Sequence, residues 1–352
     1  MTEPVVQWRY VRSFADHLAR CALHAAETVV VLSETDSRPV LVDTARLAAQ
    51  SLGASVFDVC VATPAQTHAV PVRSTGASQA LVGNRAVIAA LRETDLVIDC
   101  TVEGLLHAPE LGDILGAGTR VLMVSNEHPD LFERIRWDDD LPRRVGLALD
   151  HLRAARTMHV TSDAGTDLTI DLPGAVTAGS TGLTDGRGSI AHWPGGLVIA
   201  FPAAHTVAGR VVLAPGDLNL TFNRYVESAV ALTIDDDHIV DIAGSGVDAA
   251  LFGSYLDAFG EGAAYATSHV GWGMNPAARW ESTALYERRE TWGTEARAFA
   301  GNFLYSTGAN EHAGRFTAGH FDLPMRDCTI TLDDRTVVVR GALVAELAPG
   351  AP

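Results

Sequence analysis

Gly319-His320-Phe321-Asp322-Leu323-Pro324 sets an imidazole and a carboxylate two positions apart in a largely apolar run. On a strand, side chains at i and i+2 leave the same face. His320 and Asp322 are therefore expected to point together into one pocket, with Phe321 turned into the core. Ser268-His269-Val270-Gly271-Trp272-Gly273 offers a further histidine on what reads as a glycine-flanked loop. Two imidazoles and one carboxylate make the facial triad of non-haem Fe(II) oxygenases, which leaves coordination positions open for substrate and O2. Alone, a His-x-Asp on a strand is weak evidence, because most histidines are satisfied surface or core groups.

Other histidines could serve as acid–base groups. His107, in Gly104-Leu105-Leu106-His107-Ala108-Pro109, and His192, in Ile190-Ala191-His192-Trp193-Pro194-Gly195-Gly196, each sit between a loop and apolar residues. Such surroundings lower an imidazole's proton affinity and suit it to base work. On local sequence alone, a buried histidine bonded to a carbonyl is the simpler reading of both. His312, in Asn310-Glu311-His312-Ala313-Gly314-Arg315, reads as a solvated loop histidine. Gly244-Ser245-Gly246-Val247-Asp248-Ala249 matches the dinucleotide fingerprint GxGxxA. The strand before it, however, reads as the second arm of a hairpin turning at Asp235-Asp236-Asp237, and the fingerprint needs a βαβ unit. A glycine-rich helix entry explains it better.

The elements that must position these residues change character near residue 156. In the first half, apolar runs at Thr28–Ser33, Ser55–Val61, Leu96–Cys100 and Arg120–Ser125 alternate with helical patterns at about 42–52, 78–92, 129–136 and 141–156. That alternation predicts an open α/β/α domain over 1–156 with a mostly parallel sheet. Ligands in such folds sit at the carboxyl ends of strands, and His107 follows the strand ending at Cys100. From 157 to 352 the period shortens to that of antiparallel hairpins. Strands are expected at 158–162, 167–172, 196–201, 209–213, 229–234 and 238–242, with a final hairpin over 327–340 and helices near 247–259 and 296–300. The fold class is α/β, with a C-terminal, mainly antiparallel α+β domain that would hold the metal.

Composition closes several routes. The formal net charge of −17 argues against a nucleic-acid partner, which needs a basic face. The chain of 352 residues contains no lysine, so Schiff-base chemistry, pyridoxal-phosphate attachment and a P-loop are excluded. Cys21, Cys60, Cys100 and Cys328 are scattered and form no CxxC pair, which argues against a disulfide framework or thiolate zinc site. The acidic start Met1-Thr2-Glu3-Pro4 lacks the basic and apolar stretches of a signal peptide, and no run is long enough to span a bilayer. The expectation is a cytoplasmic protein without membrane partners.

Three segments resemble a known family: Ser268–Trp280 (SHVGWGMNPAARW), Ala296–Asn310 (ARAFAGNFLYSTGAN) and Gly319–Asp334 (GHFDLPMRDCTITLDD). They are similar to the 2,5-dihydroxypyridine 5,6-dioxygenases, ring-opening enzymes of bacterial nicotinate degradation, and the likeness continues through His192-Trp193-Pro194. The resemblance implies an offshoot of the M29 aminopeptidase-like fold, with a small-molecule hydroxylated pyridine and O2 as partners and N-formylmaleamate as product. It implies Fe(II) as cofactor, with His269, His320 and Asp322 as its ligands. It implies His107 as catalytic base, with His192 and Ser306 lining the pocket. It also implies a homo-oligomer, with a hexamer as one expected form. Related peptidases carry a glutamate where His269 stands and bind two metals. Exchanging that carboxylate for imidazole removes a bridging ligand and favours one Fe(II) with open positions. The segment Thr177-Ala178-Gly179-Ser180-Thr181-Gly182 departs from the family, since aromatic residues are expected there against the ring.

Two other classes compete. A metallopeptidase would need a second metal bridged by carboxylates, for which Glu261, Glu295 and Glu311 are the nearby candidates. A binding protein on the same fold would take up neither iron nor oxygen.

Overall fold

Val29 and Val31 turn to one side of their strand and Val30 and Leu32 to the other, and all four are buried. A strand apolar on both faces needs cover on both. In the computed structural model, which describes residues 5–69, 78–184, 186–288 and 290–350, that cover is helical. Met1–Pro4, read above for a signal peptide, lies outside the described residues. Helices Trp8–Arg20 and Pro39–Ser51 pack on the Val29 side through Phe14, Leu18, Leu41 and Ala48. Helices Arg85–Arg92 and Leu111–Gly116 pack on the Val30 side through Leu91 and Ile114. The five strands run parallel in the order Ser55–Val61, Thr28–Glu34, Leu96–Asp99, Arg120–Met123 and Ile190–His192.

The last of these strands crosses the expected division at residue 156. Ile190–His192 pairs with Arg120–Met123, so that His192 stands beside Met123 at the sheet's edge. Helix Leu141–Ala154, expected to close the first half, buries Leu141, Val145, Ala148 and Leu152 in the core of the second. The helix expected from Ser78 starts only at Arg85, because Gly83 takes φ 75° and the Asn84 side chain caps the helix by accepting from Val87 N–H.

The remaining residues form two larger antiparallel sheets. One has eight strands, including the hairpins 230–235/238–243 and 328–332/335–339. The other runs in the order Arg315–Met325, Phe303–Asn310, Thr267–Gly273, Leu197–Phe201 and Val176–Ser180. The largest apolar core lies between them and under helix Val247–Asp257. Phe321 anchors it, stacked on Phe252 with ring centroids 4.2 Å apart. The GxGxxA segment leads from the 230–235/238–243 hairpin into that helix and belongs to no βαβ unit. No described helix is long and apolar enough to cross a membrane.

His269 departs from its expected place. It lies on the strand Thr267–Gly273 rather than on a loop. The glycines that suggested a loop mark close packing instead. A Cβ at Gly271 would lie 2.1 Å from Val198 O, and one at Gly273 2.1 Å from Phe299 O.

Candidate metal centre and active site

The five-stranded antiparallel sheet supplies most of the site. His320 and Asp322 share one face of the strand Arg315–Met325, while Phe321 between them enters the core. Ser306 on the neighbouring strand pairs directly with Asp322, and Gly308 with His320. Gly308 takes φ 107°, and a Cβ there would lie 1.9 Å from Gly319 O, so only glycine admits this approach. On the other side of Phe303–Asn310, the register of Thr267–Gly273 shifts between Thr267 and Val270. A bulge at this position re-aims a side chain, and His269 sits within it. His107 arrives from the parallel sheet, on the loop after Leu96–Asp99. Asp99 pins that loop by accepting from Thr101 N–H at 2.9 Å, the Thr101 hydroxyl at 2.6 Å and Leu105 N–H at 2.8 Å.

These elements bring His107, His269 and His320 together, all buried, with one potential ligand atom from each within 4.8 Å of the others. Asp322 Oδ1 lies 3.2 Å from His320 Nε2 and 3.9 Å from His269 Nε2. Ser306 Oγ donates to the same oxygen at 2.5 Å, and Arg297 Nε donates to Oδ2 at 2.5 Å. His107 Nδ1 meets the Glu311 carboxylate at 3.2 and 3.3 Å across the interface between the parallel and antiparallel sheets.

Charges at the site are fixed by burial and by Arg297. Burial lowers His269 to about 3 and also lowers His320, each against the opposing pull of Asp322. Burial lowers His192 to about 3, with Arg297 adding to the effect. Burial alone would raise Asp322, but Arg297, then His320 and His269, hold it well below the usual carboxylate range. At neutral pH His192, His269 and His320 are neutral imidazoles beside an ionised Asp322. Neutral imidazole keeps the lone pair that a metal needs.

The residues fit a cation. His107 Nε2 is buried without a hydrogen-bond partner, which is costly unless a bound group meets it. His320 Nε2 and His269 Nε2 lie 3.2 and 3.9 Å from Asp322 Oδ1, close enough for one ion to take all three atoms. They border a cavity of about 110 Å³, a size suited to a small molecule, whose wall includes His192, Arg297 and Trp292.

Sequence reasoning named His107, His192, His269, His320 and Asp322, and all five border this cavity. Ser306 does not. It reaches the site through Asp322. His312 is exposed and packs edge-on against Phe201. The polar segment expected to hold aromatic residues supplies a wall of Ala178, Gly179 and Ser180. The aromatic side chain there is Trp292, which sequence reasoning missed. Arg297 was missed too, although it lies in a quoted motif. None of the three carboxylates considered as bridges for a second metal borders the cavity. Glu261 accepts from the Thr317 hydroxyl, Glu295 from Arg134 and Arg279 N–H, and Glu311 meets His107.

The family model described as 2,5-dihydroxypyridine 5,6-dioxygenase matches residues 9–345. The chain is 36% identical over 348 residues to the 2,5-dihydroxypyridine 5,6-dioxygenase of Pseudomonas putida KT2440, covering 97% of this chain and 98% of that one. The solved structure of 2,5-dihydroxypyridine dioxygenase from the same organism superposes with a TM-score of 0.91 at 36% identity, covering 97% of this chain and 99% of that one. AmpT from Thermus thermophilus superposes with a TM-score of 0.62 at 14% identity, covering 96% and 99%, which speaks for the fold alone.

Proposed function

The chain belongs to the 2,5-dihydroxypyridine 5,6-dioxygenase family of ring-cleaving enzymes, and from that premise we propose that it opens 2,5-dihydroxypyridine with O2 to N-formylmaleamate at a single Fe(II). The observation that carries this reading is the group of three buried imidazoles beside the ionised Asp322, at the wall of a small cavity. His269, His320 and Asp322 would hold the iron. Bound there, Fe(II) would supply the electronic route by which triplet O2 reacts with a closed-shell ring.

The chain's own groups have separate tasks. Arg297 keeps Asp322 ionised, and the Ser306 hydroxyl fixes the orientation of its carboxylate. His107 takes the proton of a ring hydroxyl at Nε2, and Glu311 at Nδ1 stabilises the imidazolium that forms. The assignment of His107 to base work and not to the metal follows the family resemblance. His192, kept neutral by burial, faces the ring as a hydrogen-bonding group, and the apolar wall of Leu197, Ile199 and Leu304 excludes water. The peptidase reading loses support because none of Glu261, Glu295 and Glu311 borders the cavity. On the resemblance alone, the proposal extends to a cytoplasmic homo-oligomer.

The test is oxygen uptake by protein loaded anaerobically with Fe(II), with loss of the ring's ultraviolet absorbance followed in parallel. The proposal expects uptake and ring loss in step. Ring binding without uptake at full iron occupancy would contradict it.

A further inference from the structure

Ser125 has a conformation and an environment that the reaction described above leaves unused. It lies just beyond Arg120–Met123, at the carboxyl end of a parallel strand, where ligands bind in such sheets. Its φ is 54°, in the left-handed region that glycine occupies freely and serine does not. The turn is held in place, because Val124 N–H and Ser125 N–H each donate to Asp99 O at 2.9 Å. Its hydroxyl is fully buried with no hydrogen-bond partner, yet the residue borders the cavity. A serine that strains its backbone to bury an unpaired hydroxyl has two costs and no internal compensation.

The neighbouring loop makes room for that hydroxyl. Gly104 has φ 71°, and a Cβ there would lie 2.8 Å from Ser125 Oγ and 2.6 Å from Met123 Cε. Any side chain at 104 would displace the serine. The same Asp99 whose carbonyl holds Ser125 holds the Gly104–His107 loop through its carboxylate. The two loops are thus set from one residue. Of the two serines on the cavity wall, Ser180 is already engaged by the backbone N–H and carbonyl of His192. The cavity wall that holds Ser125 also carries apolar Leu106, Met123 and Ile190, together with Glu103 next to Gly104. A ring oxygen placed beside Ser125 would give its hydroxyl the partner that it lacks.

We propose that Ser125 is a substrate-binding residue whose Oγ hydrogen-bonds one of the two ring oxygens of the hydroxypyridine, fixing which ring bond faces the histidine cluster. The inference rests on the hydroxypyridine reading given above and deepens it. Ser125 then selects rings that carry an oxygen at that position.

The experiment is anaerobic binding to the Fe(II)-loaded chain and its Ser125→Ala and Ser125→Gly variants, with melting temperature and iron content recorded for each. The probes are 2,5-dihydroxypyridine, 2-hydroxypyridine and 3-hydroxypyridine. Both variants should bind 2,5-dihydroxypyridine about tenfold more weakly. One of the two monohydroxy rings should bind variants and parent alike, because it lacks the oxygen that Ser125 holds. Ser125→Gly should melt no lower than the parent, since glycine relieves the backbone. Variants that match the parent within about twofold for all three rings would overturn the inference and leave the dioxygenase reading standing. Equal weakening for all three rings would overturn it as well, by showing a general loss of shape. If the parent binds none of the rings, the hydroxypyridine reading fails and the inference fails with it.

Discussion

Replacing Arg297 with methionine tests whether Asp322 is a metal ligand. Methionine keeps most of the apolar stem and removes the guanidinium that donates to Asp322 Oδ2 at 2.5 Å. Both side chains are buried, at 7% and 4% exposure. Removing one partner of a buried pair leaves the other charge uncompensated, at about 3–5 kcal/mol. At about 2 °C per kcal/mol for a chain of this size, the metal-free variant should melt roughly 6–10 °C below the parent. With Arg297 gone, burial dominates Asp322 and raises its carboxyl. A group raised in the folded state contributes stability at low pH and loses it as pH rises. The deficit should therefore be larger at about pH 8 than at about pH 5. Fe(II) bound to Asp322 would replace the missing positive charge. Anaerobic loading should then raise the melting temperature of Arg297→Met by more than it raises the parent's. Calorimetry on both proteins, with and without iron, measures this directly. An equal deficit in both states would refute Asp322 as a ligand and leave the metal to His107, His269 and His320.

Other expectations can be checked with the same preparations. His107→Ala should keep its iron and lose about 10²–10⁴-fold in kcat, whereas loss of iron would make His107 a ligand instead of a base. Glu311→Gln removes the charge at His107 Nδ1 and should lower kcat about 10- to 100-fold with KM little changed, and an unchanged rate would remove Glu311 from the account. Burial lowers His17 from its ordinary 6.5 to about 4, so the stability it contributes above 6.5 is lost as pH falls toward 4. Burial raises Asp99 from 3.8 to about 6, and its contribution has the opposite sign, lost as pH rises through about 6. In urea titrations His17→Gln should flatten the acid limb of the stability profile, and Asp99→Asn should remove the loss near pH 6.

Much of the scaffold was legible because its signals are local. The apolar runs at 28–33, 55–61, 96–100 and 120–125 all contain strands, and period two placed His320 and Asp322 on one face with Phe321 behind them. Helix Trp8–Arg20 was missed, although Tyr10, Val11, Phe14 and Leu18 trace a buried helical stripe. The strands at 176–180 and 190–192 escaped notice for another reason. The first is small and polar, and the second is a short segment whose partner strand begins at Arg120. His269 was assigned to a loop because its glycines resemble a turn, whereas each accommodates a neighbouring backbone. Contacts made by tertiary folding leave no local mark. Glu311 reaches His107 across 204 positions, and Arg297 reaches Asp322 across 25. Ser125 is an ordinary serine until its φ and its unpaired hydroxyl are seen.

The central claim is that O2 supplies the oxygen that opens the ring, and isotope labelling tests it most directly. The Fe(II)-loaded chain should be given 2,5-dihydroxypyridine under ¹⁸O₂ in ordinary water, and the open-chain product analysed at once by mass spectrometry. The account predicts that both atoms of one labelled O2 molecule enter the product. Product whose new oxygen comes from water would contradict it and return the site to hydrolytic chemistry.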